Sequence, residues 1–208
     1  MKTFIDYFNI ILLGDQNESS KAARQVRKFL YSSESKGKYK VLASIVENAP
    51  KEYENIIEDW RRENFVIAVS VLYFLHNKEN RPDFLFSWLC DLIQDPNGNI
   101  RHAAVRMFEH ELGPLTYHIR FPNEKSNYLR KLSSEQSDRI LFEMFANLMN
   151  LIKYLWKPVF KKYRYVSSLP SGPYKSIQMV LGHLVEDCGE EYMKRLEKSF
   201  DSPYPSTY

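Results

Sequence analysis

Residues 84–113, FLFSWLCDLIQDPNGNIRHAAVRMFEHELG, decide how this chain folds. They read as two helices joined by the tight turn Asp95-Pro96-Asn97-Gly98. The second helix opens with a polar run and then carries Ala103 and Ala104. Paired small residues let one helix lie close against its neighbour. A lone helical hairpin cannot bury its own apolar face, so this pattern calls for a further hairpin stacked beside it.

The segments on either side repeat the theme. Phe4, Ile5, Phe8, Ile11 and Leu12 space a first helix over 2–13. Ala22, Ala23, Val26, Phe29 and Leu30 share one face of a second over 19–31, with Lys21, Arg24, Arg27 and Lys28 opposite. A third helix is expected over 38–48. Pro50 suits the first turn of a fourth, running to about Arg62. A fifth over 63–76 is apolar nearly all round and should be covered on most sides. The sixth starts at Pro82 and ends near Gln94. The seventh spans 99–112 and is closed by Gly113-Pro114.

The periodicity then lapses over 115–132, which reads as a long connection or a short irregular helix. Ser133 or Ser134 can cap an eighth helix, with Gln136 placed to reach back. That helix should run to about Lys157, where Pro158 kinks or ends it. Residues 169–173 break the chain before a last pair of helices over 174–187 and 190–200. The expected organisation is one helical domain, 1–200, with a flexible tail, 201–208.

Composition agrees with an all-α fold. The 208 residues are 44% hydrophobic and 14% aromatic, with only seven glycines for turn punctuation. No apolar run approaches the roughly 18 to 20 residues of a membrane span, so no membrane partner is expected. Cys90 and Cys188 both fall in apolar helical patterns and read as buried thiols, which fits a reducing cytoplasm. Residues 113–165 carry ten Lys and Arg against four Asp and Glu, so the basic excess is concentrated there.

An offset of 36 places Asp59 on Asp95, Ile57 on Ile93, Ala68 on Ala104 and Val69 on Val105. Such a period belongs to stacked helix pairs. The run Asp95-Pro96, Asn99-Ile100-Arg101, Ala103-Ala104 resembles the HEAT repeat. The resemblance implies an α-α superhelix of HEAT/ARM type, a right-handed stacking of antiparallel helix pairs. It also implies that Asp95 and Arg101 are ladder residues between repeats, and that a partner binds along a concave face.

Two stretches could carry recognition. The segment 153–165, KYLWKPVFKKYRY, has five basic residues, five aromatics and no acid. Lys153, Lys157, Lys161 and Arg164 would form one helical stripe if Pro158 only kinks the chain. Such a stripe could track phosphates, Lys162 adds a further cation, and Trp156, Tyr163 and Tyr165 could stack bases. The bland alternative is a solvated face whose lysine stems cover a core helix.

The second stretch, Trp60-Arg61-Arg62, is expected at a helix–helix turn, where repeat proteins present partner-binding residues. There Trp60 would be the partner anchor and Arg61 and Arg62 would meet an anion. This stretch also resembles the HEAT-like DNA alkylation-repair glycosylases, in which a tryptophan precedes a helix bearing arginines. The chain departs from them in having Ala68 and Val69 where those arginines fall, and no Trp-Asp catalytic motif before Trp60.

Other chemistry is thin. His110-Glu111 is similar to the His-Glu pairs of HEAT-like iron hydroxylases, but one pair cannot build a two-metal site. His183 and Asp187, four apart and next to Cys188, read as a surface hydrogen bond before they read as metal ligands. No phosphate-binding glycine loop, HExxH or CxxC occurs. No catalytic residue, metal or cofactor is expected, and no small-molecule substrate. The expected function is a non-enzymatic helical-repeat module that binds a protein partner; the alternative is nucleic-acid binding.

Overall fold

Apolar residues three and four positions apart, with capping residues ahead of several of the runs, give the chain its helices. The computed structural model describes residues 3–32, 39–75, 85–124 and 132–201. Among these there are ten α-helices, three short 3-10 turns and no strand. The expectation of an all-helical chain is met. Its contacts gather into two compact units, Met1–Asn80 and Arg81–Tyr208.

The first unit holds α1 (Phe4–Leu13), α2 (Gln16–Leu30), α3 (Tyr39–Glu54) and α4 (Asp59–Leu72). Thr3 with Asp6 and Asp15 with Glu18 form reciprocal capping boxes that start α1 and α2. Each satisfies backbone donors that a helix start would otherwise leave open. Helix α4 packs on α1, α2 and α3. Its Phe65, Val66, Ala68, Val69 and Leu72 are buried, as its all-round apolar pattern requires.

Two boundaries differ from expectation. Helix α2 starts at Gln16, three residues before the expected 19, because the Asp15–Glu18 box caps it there. Pro50 does not start a helix; it lies inside α3, and the break falls at Asn55–Glu58 instead. Leu42, Val46 and Ala49 are fully buried at three- and four-residue spacing, and that continuous stripe carries the helix through the proline. Trp60, Arg61 and Arg62 consequently occupy the first turn of α4 rather than an open turn.

The second unit holds α5 (Phe86–Leu92), α6 (Gly98–Leu115), α7 (Tyr117–Arg120), α8 (Ser134–Leu155), α9 (Pro173–Cys188) and α10 (Glu190–Asp201). Helix α6 is central and packs on α5, α8 and α9. It also runs on through Gly113-Pro114, where the sequence pattern placed its end. Phe108, Leu112 and Leu115 continue one buried face across the proline. Ser133 caps α8 and Gln136 reaches back to the Ser133 amide, the box expected there. The expected helix start at Pro82 and the tail beyond Asp201 lie outside the described residues, as do 125–131 within the irregular connection.

Helices α2, α4 and α6 share an internal register. Counting from each helix start, the seventh, eighth and eleventh positions are buried: Ala22, Ala23 and Val26; Phe65, Val66 and Val69; Ala104, Val105 and Phe108. The fourth position turns back on the preceding chain in each. Ser19 Oγ donates to the Ile11 carbonyl, Arg62 Nε to Ile56, and Arg101 Nη1 to Asp95. The N-caps Glu58 and Asn97 are 39 positions apart, so helix geometry aligns these two helices three residues away from the offset of 36. Within the match at 36, the pair Asp59 and Asp95 sets the first residue of α4 against a residue that precedes the cap of α6.

Candidate anionic-partner surface

The basic segment begins where α8 ends. The residue before a proline is pushed out of helical geometry. Lys157 is accordingly extended (φ −130°, ψ 142°), and so is Trp156. Helix α8 therefore stops at Leu155, and Pro158 opens a 3-10 turn over 158–162. The expected single helical stripe does not form. Lys153 remains on the last turn of α8, where its ammonium faces Asp201 at 3.8 Å and lies 4.2 Å from the Phe200 ring centre. Lys157, Lys161, Lys162 and Arg164 instead sit on an irregular, exposed ridge.

The ridge alternates cations and rings. Trp156 is 41% exposed, Tyr165 62% and Tyr154 83%. Lys161 lies over Trp156, Lys162 over Tyr163 and Arg164 over Tyr165, with cation-to-centroid distances of 5.1–5.6 Å. These are cation–π distances at exposed sites and add modestly to order. Between Glu143 and Glu186 the chain holds six Lys and Arg and no Asp or Glu. The local field is therefore positive beyond what the net charge of +3 implies.

Behind the ridge, the 3-10 turn docks on the start of α9. Phe160 and Tyr174 stack with centroids 4.4 Å apart. Beside them lies a cavity of about 390 Å³ bordered by Lys157, Ser171 and Gly172. The Lys175 ammonium donates to the carbonyls of Ser167 and Leu169 and pins the loop leading into α9.

The other predicted residues have internal work. Arg61 Nη1 donates to the carbonyls of Ile11 (3.1 Å) and Gly14 (3.0 Å), closing the C-terminal end of α1. Its Nε pairs with Glu58, and the Arg61 guanidinium holds that carboxyl below its ordinary value. The guanidinium also lies 4.4 Å from the half-buried Trp60 ring centre. Arg62 spans the α3–α4 turn to Ile56 and covers Tyr53. Trp60, Arg61 and Arg62 belong to the first unit; the ridge belongs to the second.

Arg101 is buried. Its Nη1 donates to the backbone carbonyls of Asp95 (2.7 Å) and Pro96 (2.8 Å), and its Nη2 to Ser171 Oγ (3.1 Å). It thus meets the Asp95 backbone, while the Asp95 carboxylate accepts from the Asn97 amide.

His183 pairs with Glu109 and Glu186 rather than with Asp187, whose carboxylate accepts from Thr116. Burial pushes the Cys90 thiol up to about 11 and the Cys188 thiol up to about 12. Thiols so shifted are poor nucleophiles at neutral pH. Among the described residues, no group of three His, Cys, Asp or Glu side chains could hold a metal ion. None of the described helices is long and apolar enough to cross a membrane.

One cluster escaped the sequence reading. His118 on α7 and Tyr192 on α10 both bond the same Asp138 oxygen on α8. Burial raises the Asp138 carboxyl, but the bonds from His118 and Tyr192 outweigh it and leave the group below its ordinary value. Tyr192 is raised, by burial first and then by Asp138. These residues are 20 and 54 positions from Asp138, so no local spacing announces them. The adjoining space is only about 60 Å³, too small for a substrate, and the cluster ties three helices together. Comparison with protein-family models, with curated proteins and with solved structures finds no match, so the surface itself must carry the functional argument.

Proposed function

We propose that the protein is a non-enzymatic helical interaction module that engages single-stranded nucleic acid through the ridge around Trp156–Tyr165. The observation that carries this reading is the union of exposed rings and four exposed cations in a stretch without a carboxylate. Lysine is depleted from protein–protein interfaces, whereas nucleic-acid interfaces are strongly positive. Exposed rings add base stacking that tolerates any sequence. We further propose that the helix pairs stack as a HEAT-type superhelix. The shared register of α2, α4 and α6 supports it, because stacked hairpins need equivalent buried positions.

A short fluorescent oligothymidylate, titrated with protein at 50 and 200 mM salt, tests the reading. Four phosphate contacts predict roughly 50-fold weaker binding at the higher salt, from a slope near 0.7 per contact. Binding that ignores salt, or that Lys157→Ala with Lys162→Ala leaves unchanged, refutes it. A protein partner is the second reading, favoured by exposed Tyr154 and Val159 at the ridge edge. It gains support if a poly-glutamate peptide outcompetes the oligonucleotide.

A further inference from the structure

The α1–α2 hairpin carries an open groove of about 480 Å³, bordered only by these two helices and the Gly14 between them. Its α1 wall is Tyr7, Ile10 and Leu13, three apart along one side of the helix, with Asn9 beside them. Leu13 is 83% exposed, a large aliphatic side chain at the groove mouth that its own chain leaves almost uncovered. The α2 wall is Glu18, Lys21, Ala22 and Gln25. Ala22 is buried, and its single methyl leaves depth where a longer side chain would fill the floor.

Charge is laid along the same line. Lys21, Arg24 and Lys28 follow at three- and four-residue spacing on the exposed side of α2, starting from the groove wall. Among the described residues none of the three forms an ion pair, and Arg24 bonds only the neutral Ser20. The one acid of the wall, Glu18, lies at the other end and accepts from the Asp15 amide. Tyr7 and Phe29 meet with ring centres 5.6 Å apart, which sets Tyr7 beside the C-terminal half of α2. The apolar row and the basic row therefore run side by side. Tyr7 to Leu13 covers about 9 Å and Lys21 to Lys28 about 10 Å, nearly two helical turns in each.

We infer that this groove docks a helix of a partner protein, amphipathic and acidic along one flank. Its apolar residues, at i, i+3 or i+4, and i+7, lie against Tyr7, Ile10, Leu13 and the Ala22 floor, and its carboxylates against Lys21, Arg24 and Lys28. An apolar centre flanked by charge is the anatomy of a protein interface. On the ridge, by contrast, cations alternate with exposed rings, which suits bases. The groove belongs to the first unit, and its occupant does not depend on the nucleic-acid reading of the ridge.

Fluorescence anisotropy of the full chain with a synthetic peptide of about 18 residues, long enough to hold a helix, tests the site. The peptide carries leucines at that spacing, glutamates along one flank and alanine elsewhere. One control scatters the same leucines around the helix; another replaces every glutamate by lysine. Two variants probe the protein. Leu13→Glu changes a side chain that is already exposed, so the melting temperature should hold. Lys21→Glu with Lys28→Glu reverses the rim charge at two exposed positions.

The acidic peptide should bind saturably. Each control peptide, and Leu13→Glu, should weaken binding about ten-fold or more, the loss expected for an anchor residue. The charge-reversed protein should bind the lysine peptide more tightly than the parent does. Equal binding of the scattered peptide, or indifference to Leu13→Glu, overturns the proposal. So does loss of the peptide on Lys157→Ala with Lys162→Ala, which would move the contact to the ridge. Should the acidic peptide not bind while Leu13→Glu abolishes self-association or attachment to phosphatidylserine vesicles, the groove belongs to a second copy or a membrane and the proposal falls. A chain that binds the acidic peptide but not oligothymidylate keeps the groove and loses the ridge; the reverse keeps the ridge and loses the groove.

Discussion

Arg61 shows how a residue picked for recognition can be committed to the fold. Its guanidinium closes carbonyls at the end of α1, fifty positions away in sequence for Ile11. A charged donor of this kind contributes about 1.5 to 3 kcal/mol when its acceptors are otherwise stranded. Arg61→Ala should therefore destabilise the first unit by about 2 kcal/mol, read from urea unfolding, and leave oligonucleotide affinity unchanged. A loss of affinity at unaltered stability would restore Arg61 to the binding surface. The sequence could not separate these roles. An arginine beside a tryptophan looks the same whether it faces a partner or a carbonyl of its own chain, and only the third dimension supplies Ile11.

At the level of the element, the start of α8 was legible, because Ser133 and Gln136 stand at capping-box spacing just ahead of an apolar run. Thr3 with Asp6 and Asp15 with Glu18 have the same spacing, but the polar residues around Asp15 read as a break and hide the start of α2 at Gln16. Stop signals misled. Pro50 and Pro114 are classed as breakers, yet both lie within helices because a buried stripe runs past each of them. Tertiary burial outweighed the roughly 3 kcal/mol by which proline disfavours a helix interior. Pro158 behaved as expected, since Trp156 and Lys157 are exposed and nothing holds the helix together there.

The Asp138 cluster belongs to this scale too, because it joins α7, α8 and α10. Its carboxyl is depressed in the fold, so it favours the folded state above the ordinary carboxylate range. That contribution disappears as pH falls through the lower, folded value. Asp138→Asn should cost about 1 kcal/mol at pH 7 after allowance for solvent screening. The gap between variant and parent should start to narrow as pH falls below about 4, the ordinary carboxylate value, and should vanish only below the lowered folded value. A gap that does not narrow with falling pH at all would mean that packing, and not ionisation, sets the effect.

Across the whole molecule, charge is more informative than its sum. A net +3 describes a nearly neutral protein, but the carboxylates are absent from the long stretch between Glu143 and Glu186. That asymmetry was visible in the sequence; the path of the segment was not, because a helix and an irregular ridge use the same lysines. Removing one ridge cation should weaken binding evenly across oligonucleotide sequences. For Lys161→Ala the slope of log affinity against log salt should shrink by about 0.7. An unchanged slope would mean that Lys161 meets no phosphate.

Arg62 and Arg101 each grip a carbonyl six positions upstream, across the bend between two helices. A side chain of fixed reach anchored at both ends is a gauge for the loop it spans. One extra amino acid in either bend would pull the gauge off its mark and strand a guanidinium. Insertional scanning should therefore find these two corners intolerant, even though loops elsewhere on proteins absorb added length cheaply.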